Sequence, residues 1–226
     1  MSRERLVMSP AIVISSLLAA VVLFFAALLP QPAAAQQPVR IVFVGDSLTA
    51  GLGVGPGEAY VDRLQAMLGE KGLPIEAVNA GVSGDTTAGG LSRLDWSVPD
   101  GTDGVVLALG GNDALRGIPV AETRANLAAA IENLQARNIP VLLAGMMSPP
   151  NMGSEYEQAF NAIYSELAEQ HEITLYPFLL DGVAAETELN QTDGMHPNGD
   201  GMAVIAERML PVMEEFIRSL GASTGG

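Results

Sequence analysis

The sequence predicts one α/β domain built on a parallel sheet with helices on both faces. Two observations carry that prediction. From Arg40 onward, short β-branched or aliphatic runs alternate with longer stretches of helical rhythm, the pattern of repeated strand–helix–strand units. The 226 residues, 48% of them hydrophobic, supply one substantial core and leave little room for a second.

Ile41-Val42-Phe43-Val44, ended by Gly45, has the continuous apolar character of a strand buried on both faces. Tyr60 to Leu68 follows with Val61, Leu64, Met67 and Leu68 on one helical face. Ile75 to Val78 is a second, weaker strand, and Leu91, Leu94 and Val98 suggest a short helix after it. Val105 to Leu109, closed by Gly110-Gly111, is the third strand. Pro119 opens a helix with Leu127, Ile131 and Leu134 at i, i+4 and i+7. Val141 to Ala144 is the fourth strand, Tyr156 to Leu167 a helix, and Ile173 to Leu175 the fifth strand. The last helix starts after Pro197 and carries Val204, Ile205, Met209 and Phe216, with Pro211 expected to kink or break it. No internal repeat or interdomain linker interrupts this order.

Residues 1–35 read differently. Arg3 and Arg5 precede an uncharged apolar run from Ala11 to Leu29, and Ala33-Ala34-Ala35 fits a small-residue cleavage site. A cleaved signal peptide is expected, with residues 36–226 as the mature domain in the periplasm or outside the cell. The run is also long enough to span a bilayer as a retained anchor, with the domain facing the same side.

Composition narrows the chemistry. The formal net charge of −15 opposes binding to phosphate backbones or anionic headgroups, so nucleic acid is not an expected partner. Cysteine is absent, which excludes disulfides, thiolate metal sites and a cysteine nucleophile. His171 and His196 are the two histidines, too few for a histidine-rich metal site.

In an open parallel sheet, ligands bind beyond the carboxyl ends of the strands. The segments after strands one, two and three are Gly45-Asp46-Ser47-Leu48, Asn79 to Thr86, and Gly110-Gly111-Asn112-Asp113. Asp193-Gly194-Met195-His196-Pro197 lies past the last strand. Together they supply what acyl transfer by serine needs. Ser47 is a weak nucleophile requiring a base, His196 is an imidazole suited to that task, and Asp193 is a carboxylate to orient the ring. The Ser47 N–H, the Gly84 N–H and the Asn112 side-chain amide are candidate donors to the oxyanion.

Bland readings stand beside these. Ser47 taken alone is a helix cap, and Asn112 a turn residue. Asp46 is expected to hydrogen-bond the loop backbone rather than do acid–base work. Asp85, Thr86 and Asp113 read as caps, and Asn79 either orders the loop behind the donors or ends strand two. His171 is expected to satisfy carbonyls at a helix end. Gly51 to Gly57 lacks the spacing of a phosphate-binding loop and reads as a rim of the cleft. Met146, Met147 and Met152 fit an adaptable acyl pocket or ordinary loop packing equally well.

The four segments, in this order and spacing, resemble the blocks of the SGNH, or GDSL, hydrolase family over essentially the whole mature chain. The likeness is greatest to its bacterial thioesterase, lysophospholipase and arylesterase branch. That resemblance implies a flavodoxin-like three-layer α/β/α sandwich with a five-stranded parallel sheet. It also implies a serine carboxyl-ester hydrolase with no metal or organic cofactor and no obligatory protein partner. Ser47, Asp193 and His196 would form the catalytic triad, and Ser47, Gly84 and Asn112 the oxyanion hole. Acyl esters, thioesters or lysolipids would be substrates. A carbohydrate O-acetylesterase of the same fold and a non-catalytic flavodoxin-like binding protein are the alternatives.

Overall fold

Five strands form one sheet: β1 Val39–Gly45, β2 Ile75–Gly81, β3 Gly104–Ala108, β4 Val141–Ala144 and β5 Thr174–Tyr176. All neighbours are parallel and the spatial order is β2-β1-β3-β4-β5, the flavodoxin-like order whose direction of winding reverses between β1 and β3. This computed structural model describes residues 38–223. The expected leader or anchor over residues 1–35 lies outside the described residues.

The core forms because the central strands have nothing polar to expose. Ile41 to Val44, Val105 to Leu107 and Leu142 to Ala144 are all fully buried, as continuous apolar strands covered on both faces should be. The helices that cover them are amphipathic. On one face, α2 (Tyr60–Glu70) packs against the C-terminal helix (Gly199–Ser223). On the other, the helix Thr87–Ser92 packs on Val120–Ala136, which packs on Ser154–His171. In chain order the eight described α-helices are α1 (Ser47–Ala50), α2, α3 (Thr87–Ser92), α4 (Leu94–Ser97), α5 (Gly111–Leu115), α6 (Val120–Ala136), α7 (Ser154–His171) and α8 (Gly199–Ser223). Among the described residues no helix is long and apolar enough to cross a membrane.

Several expectations need correction. Strand two continues through Asn79 and Ala80 to Gly81, because Gly45 and Gly81 pair in register and the ladder with β1 carries on to both strand ends. The short helix over Leu91 to Val98 is two helices meeting at Arg93. Pro211 does not break the last helix, which runs unbroken through it. The one-turn helices α1 and α5 were not expected, since four or five residues carry no readable period.

The sheet's upper edge is set by close approach. Gly45 lies opposite both Gly81 and Ala108, so three strands end level. There α1 sits directly on the sheet: a Cβ at Gly81 would stand 2.3 Å from the Ala50 backbone nitrogen. Thr49 completes the seam by hydrogen-bonding its hydroxyl to Tyr60 Oη at 2.9 Å. Because the obstacle at Gly81 is backbone, Gly81→Ala is expected to lift α1 and cost about 1–3 kcal/mol. Thermal unfolding should show this as a fall of roughly 3–10 °C in Tm, and an unchanged Tm would contradict the close packing.

Candidate active site

Each segment beyond the strand ends delivers one part of the site. Asp46 caps α1 by accepting a hydrogen bond from the Leu48 N–H at 3.0 Å, and this turn sets Ser47 at the start of the helix, 8% exposed. Ser47 Oγ lies 2.9 Å from His196 Nε2. His196 Nδ1 lies 2.7 Å from Asp193 Oδ2.

The tautomer follows from donor chemistry. An ionised carboxylate only accepts, so Nδ1 carries the proton that bonds Asp193 and the neutral ring leaves Nε2 free to accept from the serine hydroxyl. Asp193 is firmly ionised: hydrogen bonds from the His196 N–H, the His196 ring and the Met195 N–H hold its carboxyl well below the usual carboxylate range. Those N–H groups reach Asp193 Oδ1 at 2.9 Å and 3.0 Å. Gly194 makes the tight turn possible with φ of +66°, a conformation that glycine adopts without strain.

Gln191 fastens this C-terminal loop to the serine loop. Its side-chain amide donates to the Leu52 carbonyl at 2.7 Å and to the Pro197 carbonyl at 2.9 Å, and its N–H donates to the His196 carbonyl at 2.7 Å. Sequence reasoning passed over Gln191, whose bond to Leu52 spans 139 residues of chain and leaves no local pattern. It also missed Arg93. That guanidinium pairs with Asp85 at 2.6 Å, reaches the Gly45 carbonyl at 3.0 Å and bonds Ser97 Oγ at 2.8 Å. Asp85 is therefore the partner of an inward-facing arginine, not a helix cap.

The backbone N–H groups of Ser47 and Gly84 enter no hydrogen bond among the described residues, and both residues line the same cavity as Asn112 and His196. Arg116 holds the Gly84 carbonyl at 2.8 Å. Asn112 is already engaged: its Nδ2 donates to the Asp85 carbonyl at 2.9 Å and to Asp46 Oδ2 at 3.1 Å. Asn79 does order this region, donating to the Thr49 carbonyl at 2.7 Å and accepting from the Gly81 N–H at 3.0 Å.

Thr86 caps α3 by accepting from the Gly89 N–H. Asp113 caps the same helix from a distance rather than its own. Fully buried, it accepts from the Thr87 N–H and hydroxyl. His171 ends α7 as expected, but its Nε2 is buried with no hydrogen-bond partner among the described residues, so carbonyl capping by that nitrogen is corrected.

Asp46 is the electrostatic oddity. Burial pushes its carboxyl up to about 6, against hydrogen bonds from Leu48 and Asn112 and the nearby His196 that pull it down. A carboxyl raised in the folded state is held ionised at a cost above its folded value, and that cost vanishes as pH falls toward the unfolded value of 3.8. Relative to Asp46→Asn, the native chain is expected to gain about 2 kcal/mol of unfolding free energy between about pH 7.5 and about pH 4. Urea unfolding of both proteins across that range checks it; a difference that shrinks or stays flat with acidification would contradict the burial argument.

The serine opens into a cavity of about 650 Å³, within the size range of small-molecule sites. Its walls are largely apolar, with Leu52, Leu115, Met146, Met147, Phe178, Leu180 and Met195 among them. Met146 and Met147 line this cavity, whereas Met152 is not a wall residue and packs near Gly117. Four exposed apolar side chains, Leu52, Leu115, Met147 and Met195, belong to this lining. Among the described residues no group of three or more His, Asp or Glu side chains is placed to hold a metal ion.

A parallel sheet in flavodoxin-like order, with a serine, an imidazole and a carboxylate in hydrogen-bonded series beyond the carboxyl end of β1, defines a serine ester hydrolase of the SGNH type. The chain belongs to the GDSL-like lipase/acylhydrolase family, whose model matches residues 43–204. It is 39% identical over 191 residues to esterase TesA of Pseudomonas aeruginosa, covering 84% of this chain and 94% of that protein. It is 35% identical over 179 residues to thioesterase 1/protease 1/lysophospholipase L1 of Escherichia coli K12, covering 78% and 84% respectively. Among solved structures, the psychrotrophic esterase EstA from Pseudoalteromonas sp. superposes with a TM-score of 0.75 at 31% identity, covering 80% of this chain and 99% of that one.

Proposed function

We propose that this chain hydrolyses esters and thioesters of apolar acyl groups through an acyl-Ser47 intermediate, with His196 as base and Asp193 as its orienting carboxylate. The observation that carries the reading is the 2.9 Å contact of Ser47 Oγ with His196 Nε2 at the wall of an apolar cavity.

In the first half-reaction, Ser47 Oγ attacks the carbonyl carbon as Nε2 takes the hydroxyl proton. The negative charge that gathers on the carbonyl oxygen meets the N–H groups of Ser47 and Gly84 and the Asn112 amide. Collapse breaks the bond to the leaving alcohol or thiol, which receives the proton from the imidazolium. Water then attacks the acyl-serine with the same base, releasing the acid and restoring Ser47. A binding protein has no task for a base set on a serine, which disfavours the non-catalytic reading. An acetyl group would leave most of the apolar wall unused, which disfavours sugar deacetylation.

The names of the relatives, esterase and thioesterase/lysophospholipase, agree with this substrate class. The residue pattern over 1–35 supports export, with the mature domain beginning at Gln36 and working beyond the cytoplasmic membrane. The test is a series of p-nitrophenyl esters of increasing acyl length. Rising kcat/KM from acetyl toward medium-length chains is expected. A maximum at acetyl would favour the deacetylase alternative, and no turnover by folded protein would overturn the hydrolase reading.

A further inference from the structure

We propose that Asp46 is a positioning residue that keeps the Asn112 amide turned with its N–H groups, rather than its oxygen, toward the reacting carbonyl. The proposal rests on the reading above, in which Asn112 supplies an oxyanion donor. The two ends of an asparagine amide are nearly equal in shape, so packing alone does not choose between them. Their polarity does.

Asn112 Nδ2 stands 2.9 Å from the Asp85 carbonyl oxygen and 3.1 Å from Asp46 Oδ2. Turned over, the amide oxygen would face a carboxylate and a carbonyl, three acceptors without a proton among them. An interaction with an ionised acceptor is also roughly twice as strong as a neutral one, so the carboxylate is the heavier of the two constraints. Asp46 can impose it because it is itself immobile. It is 4% exposed, and its Oδ1 is tied to the Leu48 N–H, which aims Oδ2 at Asn112. One side chain thereby sets both the turn that presents the Ser47 N–H and the orientation of a donor 66 residues away in sequence.

The competing explanation is that Asp46 only caps α1. Two variants separate the roles, since Asp46→Asn and Asp46→Ser each keep an oxygen able to accept from the Leu48 N–H and each lose the acceptor for Asn112. Both are expected to lower kcat about 10²-fold, the scale of one oxyanion donor, with KM within about twofold. In an Asn112→Ala background, neither should lower kcat further, because a residue that acts through Asn112 has nothing left to act on. Near-native kcat in both single variants, or a full additional loss in the Asn112→Ala background, would overturn the proposal. In the unaltered protein, the Asn112 side-chain amide protons, identified by their disappearance in Asn112→Ala, are expected to exchange with solvent more slowly than other side-chain amides. Exchange at the common rate would also overturn it. Activity persisting in Ser47→Ala would instead sink the acyl-Ser47 reading on which the proposal rests, so the two failures are distinguishable.

Discussion

Ser47→Ala is expected to reduce kcat/KM on p-nitrophenyl esters by at least about 10⁴-fold while leaving the fold intact. The size of the loss follows from the division of labour. With the hydroxyl gone, no acyl-enzyme forms, and the remaining donors only polarise the carbonyl for direct attack by water. Removing the nucleophile or its base from comparable serine sites costs on the order of 10⁶ in kcat. The fold should survive because the Ser47 hydroxyl makes its one hydrogen bond to His196, while the turn it sits on is held by Asp46 and by the glycines under α1. His196→Ala should be as damaging. The double variant should be no worse than either, since base and nucleophile act as a unit. Comparable circular dichroism with a loss under tenfold would contradict this account.

Asp193→Asn carries the second large effect, expected at about 10³–10⁴-fold in kcat. Asparagine can still accept the Met195 and His196 N–H groups through its oxygen, so the loop turn is preserved. Its NH₂ then occupies the place of Oδ2 and donates to His196 Nδ1. That forces the proton onto Nε2, where it points at Ser47 and cannot accept the hydroxyl proton. Electrostatics contributes less than geometry here, because the Asp193 side chain is 47% exposed and water screens much of its charge. The ratio of Asp193→Asn to Asp193→Ala activity measures the difference. If tautomer control dominates, the alanine variant, which leaves Nδ1 free to bond water, should be no worse than the asparagine variant. An alanine variant tenfold worse would shift the weight to charge stabilisation of the imidazolium.

The sheet was legible in the sequence because its central strands are buried on both faces and spell themselves as unbroken apolar runs. The edge strand β2 was legible only in part, since most of it is only half-buried and its last three residues pair in a polar and small-residue stretch. The positions of Ser47, Asp193 and His196 followed from strand ends and residue chemistry. What escaped was everything whose partner is far away in sequence. Gln191 clamping Leu52, Arg93 reaching Gly45 and Asp113 capping α3 from the start of α5 are choices made by tertiary contacts, and no local propensity announces them. The cavity wall from Phe178 to Ala185 escaped for a related reason. It comes from a loop between β5 and α8 that has neither helical nor strand period, and Ala185 even adopts φ of +66° there, a conformation rarely assigned to alanine.

The central claim is a covalent acyl group on Ser47, and rapid quenching during turnover tests it most directly. The full chain would be mixed with a p-nitrophenyl ester in excess and quenched in acid, and the peptide bearing Ser47 weighed by mass spectrometry. The expected result is a mass increase equal to the acyl group on that peptide, absent in Ser47→Ala, with a p-nitrophenolate burst that does not exceed the enzyme present. Turnover with no acylated peptide in a burst-competent reaction, or an acyl group found on another residue, would contradict the account.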